Sequence, residues 1–215
     1  MNKKITFIVS LLVVIVGACA WLYYTPPGDV PKTDLDIYQA LGTVTAKETA
    51  KLLDNQGELV VISWDSSRNK MPVIEAQITS FERAIKQHKG IQITTREKVL
   101  QIPAQMMATG GGMPSDQFLK VVKAHPRAGA IVLFLAFPNL SSQELKELSE
   151  GQTKFVVVSG CNPGYKKLLM DRNIDLAIVP RFDRIKNTRP PQTVQESFDQ
   201  NYQIVTSDQA ATLPY

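Results

Sequence analysis

Sulfur and imidazole are scarce in this chain: its 215 residues include two cysteines and two histidines. Cys19 lies in an apolar N-terminal run and Cys161 stands alone in the remainder, so no disulfide framework can brace a domain. His88 and His125 have no cysteine or carboxylate grouped with them, which leaves no ligand set for zinc or iron. No cofactor is expected. Charge of one sign is sparse as well. The formal charge is +4, part of it from Lys3 and Lys4, and no basic run carries interleaved aromatics, which argues against nucleic acid as a partner. Glycine never takes the spacing of a dinucleotide fingerprint or a P-loop. What is present is ordinary for a globular chain: 44% hydrophobic and 20% charged residues, enough to bury a full core in one domain.

There is one long hydrophobic run. Residues 5–24 (ITFIVSLLVVIVGACAWLYY) are uncharged and mostly apolar, about 20 residues, the length that crosses a bilayer core as a helix. Lys3 and Lys4 before it place the N-terminus in the cytoplasm, and Trp21, Tyr23 and Tyr24 suit the outer interface. Thr25-Pro26-Pro27-Gly28 then ends the helix. The expectation is a single-pass anchor in a bacterial inner membrane, with the following domain periplasmic or extracellular. Two other fates of this leader stay open. Val16-Gly17-Ala18-Cys19 loosely resembles a lipobox, with lipidation at Cys19, and signal peptidase could cut after Ala18.

Residues 1–28 therefore read as anchor and linker, 29–190 as an α/β domain, and 191–215 as a tail with a short edge strand at 202–206. Two short helices are expected near 35–41 and 45–55, the second with Thr45 as N-cap and Glu48 completing a capping box. Beyond Gly57, apolar runs of strand length (59–64, 91–95, 130–137, 154–159, 174–179) alternate with helical patterns (71–88, 115–124, 142–148, 163–172). The helix of 115–124 turns Phe118, Leu119 and Val122 inward, and Ser141 or Ser142 caps the next. The central strands are apolar on both faces, as parallel strands covered by helices on each side must be. Right-handed crossovers favour a doubly wound, mostly parallel five-stranded sheet, flavodoxin-like, in the order 2-1-3-4-5.

Ligands of such sheets bind beyond the carboxyl ends of the strands. The loops there supply the candidate ligand-binding residues. Asp65, Ser66, Ser67 and Arg68 follow the first strand, and Gly111 lies in the glycine run after the second. Asn139 follows the third, Cys161 and Asn162 the fourth, and Arg181 and Asp183 the fifth. Ser66, Ser67 and Arg68 could hold an anion or sugar hydroxyls, with Asp65 accepting from hydroxyls; short polar residues also simply fill turns. The backbone of the three glycines, just before a helix start at Ser115, could cradle an anion or merely form a loop. Cys161 precedes a helix start, where a thiolate is stabilised. No histidine is near it in sequence, and a small half-buried residue is the ordinary reading.

With these loops in view, residues 59–182 resemble one lobe of a type I periplasmic sugar-binding protein. The likeness lies in a strand ending near Ser66 and Ser67, the helix of 71–88, and the 130–137 strand with its loop toward ligand. Proteins of that family have two lobes and bind ligand in the cleft between them, whereas this chain has residues for one. The resemblance implies a binding or sensing module for a small polar ligand, its other half supplied by a second copy or an envelope protein. The competing expectations are a structural component of an envelope complex and, behind it, an enzyme using Cys161 or the Asp65 and Asp183 carboxylates. A receiver domain fits worse, because Phe137-Pro138-Asn139 stands where its aspartate belongs.

Overall fold

The computed structural model describes residues 14–16, 34–67, 70–158, 164–181 and 190–213. It divides into two units, Met1–Asp34 and Leu35–Tyr215. Of the first, residues 14–16 are helical, and the rest of the expected anchor, with Cys19, lies outside the described residues. Among the described residues no helix is long and apolar enough to cross a membrane.

The second unit opens with one helix, α1 (Leu35–Leu52), where two were expected. Gly42 and Thr45 look like a break and a cap, but both serve tertiary packing. A Cβ at Gly42 would stand 2.0 Å from the Gln77 carbonyl oxygen, so this glycine lets a second helix cross at backbone contact. Thr45 Oγ1 donates to Leu41 O at 2.7 Å and Thr49 Oγ1 to Thr45 O at 2.8 Å, so both buried hydroxyls are satisfied within the helix. Glu48 pairs with Lys51 instead of closing a capping box.

There follow β1 (Gly57–Trp64), α2 (Pro72–Ile85) and β2 (Ile91–Val99). β2 runs four residues past its expected end, because the alternation continues through Arg96 and Lys98, which point outward. Those charges sit on an open sheet edge, where they discourage strand addition. A short helix not foreseen in the sequence, α3 (Pro103–Thr109), is followed by α4 (Ser115–Ala124) at its expected bounds. Phe118 is buried, and Leu119 and Val122 pack partly buried against the core. β3 (Ala128–Leu133) ends before its apolar run does. Residues 134–137 stay buried but bend across the strand ends, with Ala136 bridged to Gly112.

Next come α5 (Ser142–Ser149), β4 (Lys154–Val158), α6 (Tyr165–Met170) and β5 (Leu176–Pro180). Ser141 caps α5 in a reciprocal box: its hydroxyl accepts from the Glu144 N–H, and Glu144 accepts from the Ser141 N–H at 2.7 Å. α7 (Val194–Asn201) leads directly into β6 (Tyr202–Thr206), and a 3-10 turn (Ser207–Thr212) follows.

The sheet has six strands in the order β2-β1-β3-β4-β5-β6, the first five parallel and β6 antiparallel to β5. The expected order is confirmed, and the expected count of five is corrected to six. The edge strand at 202–206 pairs with all five residues of β5 and so joins the sheet. Side chains alternate between two cores. Leu59, Val61, Val132, Val156 and Ile178 meet α1, α2 and α7, while Val60, Ile62, Ile131, Val157 and Val179 meet α4, α5 and α6. The second core centres on Phe118, Phe137 and Phe155, whose rings lie 5.5–6.0 Å apart.

Candidate functional site

The chain runs from β1 outward to β2 and then back across to β3, so the strand order reverses between β1 and β3. At such a reversal the two crossovers leave in opposite directions and open a crevice at the carboxyl ends of the strands. A cavity of about 290 Å³ lies there. Trp64 closes one side from the end of β1, and Phe134, Leu135 and Ala136 form the wall above β3. Val158, Ile178 and Pro180 extend it along β4 and β5, with Leu41 of α1 and Ile74 and Gln77 of α2 opposite. Gly110, Gly111 and Tyr202 complete the rim.

The lining is mostly apolar, with a few polar groups that converge on it, as small-molecule sites usually are. Gln77 is 8% exposed, yet its amide finds no hydrogen-bond partner among the described residues. Its amide atoms keep some access to solvent, Ser197 Oγ being the one fully buried side-chain polar atom without a partner among the described residues, so the Gln77 amide is open to a ligand. The Gly42 contact pins the backbone of α2 at this residue and so fixes where the amide is presented. Trp64 is equally buried, and its indole N–H likewise has no partner among the described residues. Burial, with a smaller contribution from Tyr38, pushes the Tyr202 phenol up to about 12, so it remains a neutral donor. Its ring lies 5.9 Å from Phe198, which holds it at the rim. A flat polar molecule could stack on Trp64 and exchange hydrogen bonds with the Gln77 amide.

No family model matches the chain, and no curated protein matches it in sequence. Solved structures do match it in fold. AraP, an arabinose binding protein from Geobacillus stearothermophilus, superposes with a TM-score of 0.58 at 15% identity, covering 83% of this chain and 63% of that one. A sugar ABC transporter sugar-binding protein from Bacillus halodurans gives 0.55 at 14%, covering 81% and 63%. A periplasmic solute binding protein from Actinobacillus succinogenes 130z, with bound D-allose, gives 0.54 at 12%, covering 83% and 61%. The fold is that of a periplasmic-binding-protein lobe. At these identities the likeness is one of fold, and the chain spans about three-fifths of the length of the structures it matches.

The lobe brings few of the expected residues into the cavity. Gly111 lines it, but its N–H donates to Met106 O at 2.9 Å and the Gly112 N–H to Thr109 O at 3.3 Å, so these donors are already engaged. The glycines serve a close approach instead: a Cβ at Gly112 would stand 2.8 Å from Ala136 O. Asp65 and Ser66 are half-buried beside β2, where Asp65 Oδ1 accepts from the Ser67 N–H at 2.9 Å in a local turn. Asn139 is exposed and lies in a separate groove between α5 and α6. Arg181 follows Pro180 of the cavity wall, but its Nε donates to Asp199 O and its N–H to Asn201 O, fastening the end of α7 to β5. Arg68, Cys161, Asn162 and Asp183 lie outside the described residues.

The three lining residues with polar side-chain groups were all missed in the sequence. Trp64 ends the run LVVISW directly before a polar loop, an aromatic at the carboxyl end of a parallel strand. Gln77 occupies the apolar stripe of α2 with Ile74, Ile78, Phe81 and Ile85, and a polar residue on that stripe was the available signal. Tyr202 reaches the rim only through the antiparallel pairing of β6, which no local pattern shows.

Proposed function

We propose that this chain is a binding or sensing module outside the cytoplasm that takes a small polar ligand into its strand-end cavity. The observation that carries this reading is Gln77, which lines the same cavity as Trp64 and whose solvent-accessible amide has no hydrogen-bond partner among the described residues. The setting supports a sugar-sized ligand, since the matching structures are of sugar-binding proteins, one of arabinose and one with bound D-allose. A pyranose or furanose offers an apolar face for Trp64 and hydroxyls for Gln77 and Tyr202. Residues 5–24 hold the module at a bacterial inner membrane with the N-terminus inside, lipidation at Cys19 being the other route to the same tether. Calorimetric titration of the chain with a panel of pentoses and hexoses tests this. At least one sugar should bind, and Trp64→Ala and Gln77→Ala should each weaken it tenfold or more. A panel in which no sugar binds, or binding that both variants retain, would contradict the reading.

A second reading has its own observation. Leu100, Ile102 and Met107 are 47%, 48% and 86% exposed in and beside α3, which leads straight into the cavity rim at Gly110 and Gly111. Exposed apolar residues clustered at a site rim mark a surface for another protein. A second copy, or an envelope protein, covering this rim would close the cavity from the side that the lobe leaves open. The module would then be a structural component of a complex, and Met107→Glu should release the partner in cross-linking while leaving the melting temperature unchanged.

A further inference from the structure

We propose that the groove between α5 and α6 is a second binding site, selective for a small amphipathic organic anion. Each helix turns a face with i, i+3, i+4, i+7 spacing toward the other. α5 presents Leu145 and Lys146 with Ser142 and Ser149 one turn to either side. α6 presents Lys167 and Leu168 between Gly164 and Asp171. Neighbouring helices on one sheet face ordinarily close to about 8–10 Å, ridges into grooves. Between these two about 560 Å³ stays open, within the range of roughly 300–1,000 Å³ usual for ligand sites. Small residues at Ser142, Ser149 and Gly164 give no ridge to interlock, and an exposed lysine stands at the middle of each facing stripe.

The groove is built for an occupant of mixed character. Phe137 and Leu140 join Leu145 and Leu168 as an apolar lining. Lys146 and Lys167 form no ion pair among the described residues, and Asp171 is the one carboxylate among the described lining residues, so the groove has an excess of positive charge. Asn173 closes the far end. It is 8% exposed, and its side-chain amide has no hydrogen-bond partner among the described residues. A flat aryl or alkyl body against the leucines, with its anionic group on the lysines and a polar atom on Asn173, satisfies all three features. This groove shares no lining residue with the strand-end cavity, so it stands independently of the sugar-binding reading.

The test is photolabelling of the whole chain in lipid nanodiscs with 4-benzoylbenzoate, the attachment sites being mapped by mass spectrometry. Labels should fall within 137–149 and 164–173, drop at least tenfold in Lys146→Gln/Lys167→Gln, drop less in Asn173→Ala, and be unchanged in Trp64→Ala. Both lysines are exposed, so the double variant should keep its melting profile. The reversed variant, Lys146→Glu/Lys167→Glu, should lose the anion and gain labelling by 4-(aminomethyl)benzophenone. Labels scattered elsewhere, labels undiminished in the double lysine variant, or equal labelling by neutral benzophenone would overturn the proposal.

Discussion

On one face of the sheet α1 and α2 cross so closely that Gly42 lies against the Gln77 carbonyl. On the other, α5 and α6 stand apart around about 560 Å³ of open groove. Both pairs cover parallel strands with the same double-sided burial, so the strands do not account for the difference. The residues at the crossing differ. A glycine opposite a backbone carbonyl allows contact on the first face, whereas the groove between α5 and α6 is lined by small residues and exposed lysines. The tight crossing also serves the strand-end cavity, because it fixes the turn of α2 that carries Gln77. The loose pair leaves a surface that this lobe does not fill itself.

The sharpest way to break the comparison is Gly42→Val. Any Cβ there meets the Gln77 carbonyl, and a branched one cannot turn away, so a loss of about 3 kcal/mol or more is expected in urea unfolding. The equivalent insult across the sheet, Ser149→Val in the open groove, should cost about 0.5 kcal/mol or less. A similar loss at both sites would remove the contrast. Ser141→Ala comes next. It removes half of the capping box of α5 and should cost about 1 kcal/mol, without closing the groove. Gln77→Leu should be smaller still, within about 0.5 kcal/mol of wild type with ligand binding abolished, because the amide it removes keeps its access to solvent.

A further effect is one of pH. The Tyr202 phenol is raised in the folded state to about 12, above the ordinary value of 10.0. Its contribution to stability is therefore complete below pH 10 and is lost as the pH rises from there through 12. Absorbance titration of the phenolates should show one late-titrating tyrosine fewer in Tyr202→Phe than in the wild type. Equal late steps in the two proteins would contradict the burial of Tyr202 at the cavity rim.

Much of the fold was legible because doubly covered parallel strands must be apolar throughout, and 59–64 and 154–158 announce themselves that way. The errors lie where a residue's role is tertiary. Gly42 and Thr45 imitate a helix break and a cap, and only the crossing of α2 explains why the helix continues through them. The site was legible in place but not in membership. Polarity drew the reading to Asp65, Ser66 and Ser67, where the Asp65 carboxylate answers the Ser67 N–H of its own turn. Gln77 resembled any surface glutamine until its place on the apolar stripe was matched to a cavity. Tyr202 depended on a strand pairing twenty-odd residues beyond β5 in the chain.

A ligand that enters the strand-end cavity is met by Gln77 and Trp64 together. Side-chain amide and indole resonances of the isotope-labelled chain, followed by NMR while the pentoses and hexoses of the panel are added in turn, give the most direct test. The account predicts that one sugar shifts the Gln77 amide and Trp64 indole signals together, along a single saturation curve, and that Gln77→Leu abolishes the Trp64 shift. Resonances of both residues that stay fixed while a bound sugar shifts others, or that respond to no sugar of the panel, would contradict it.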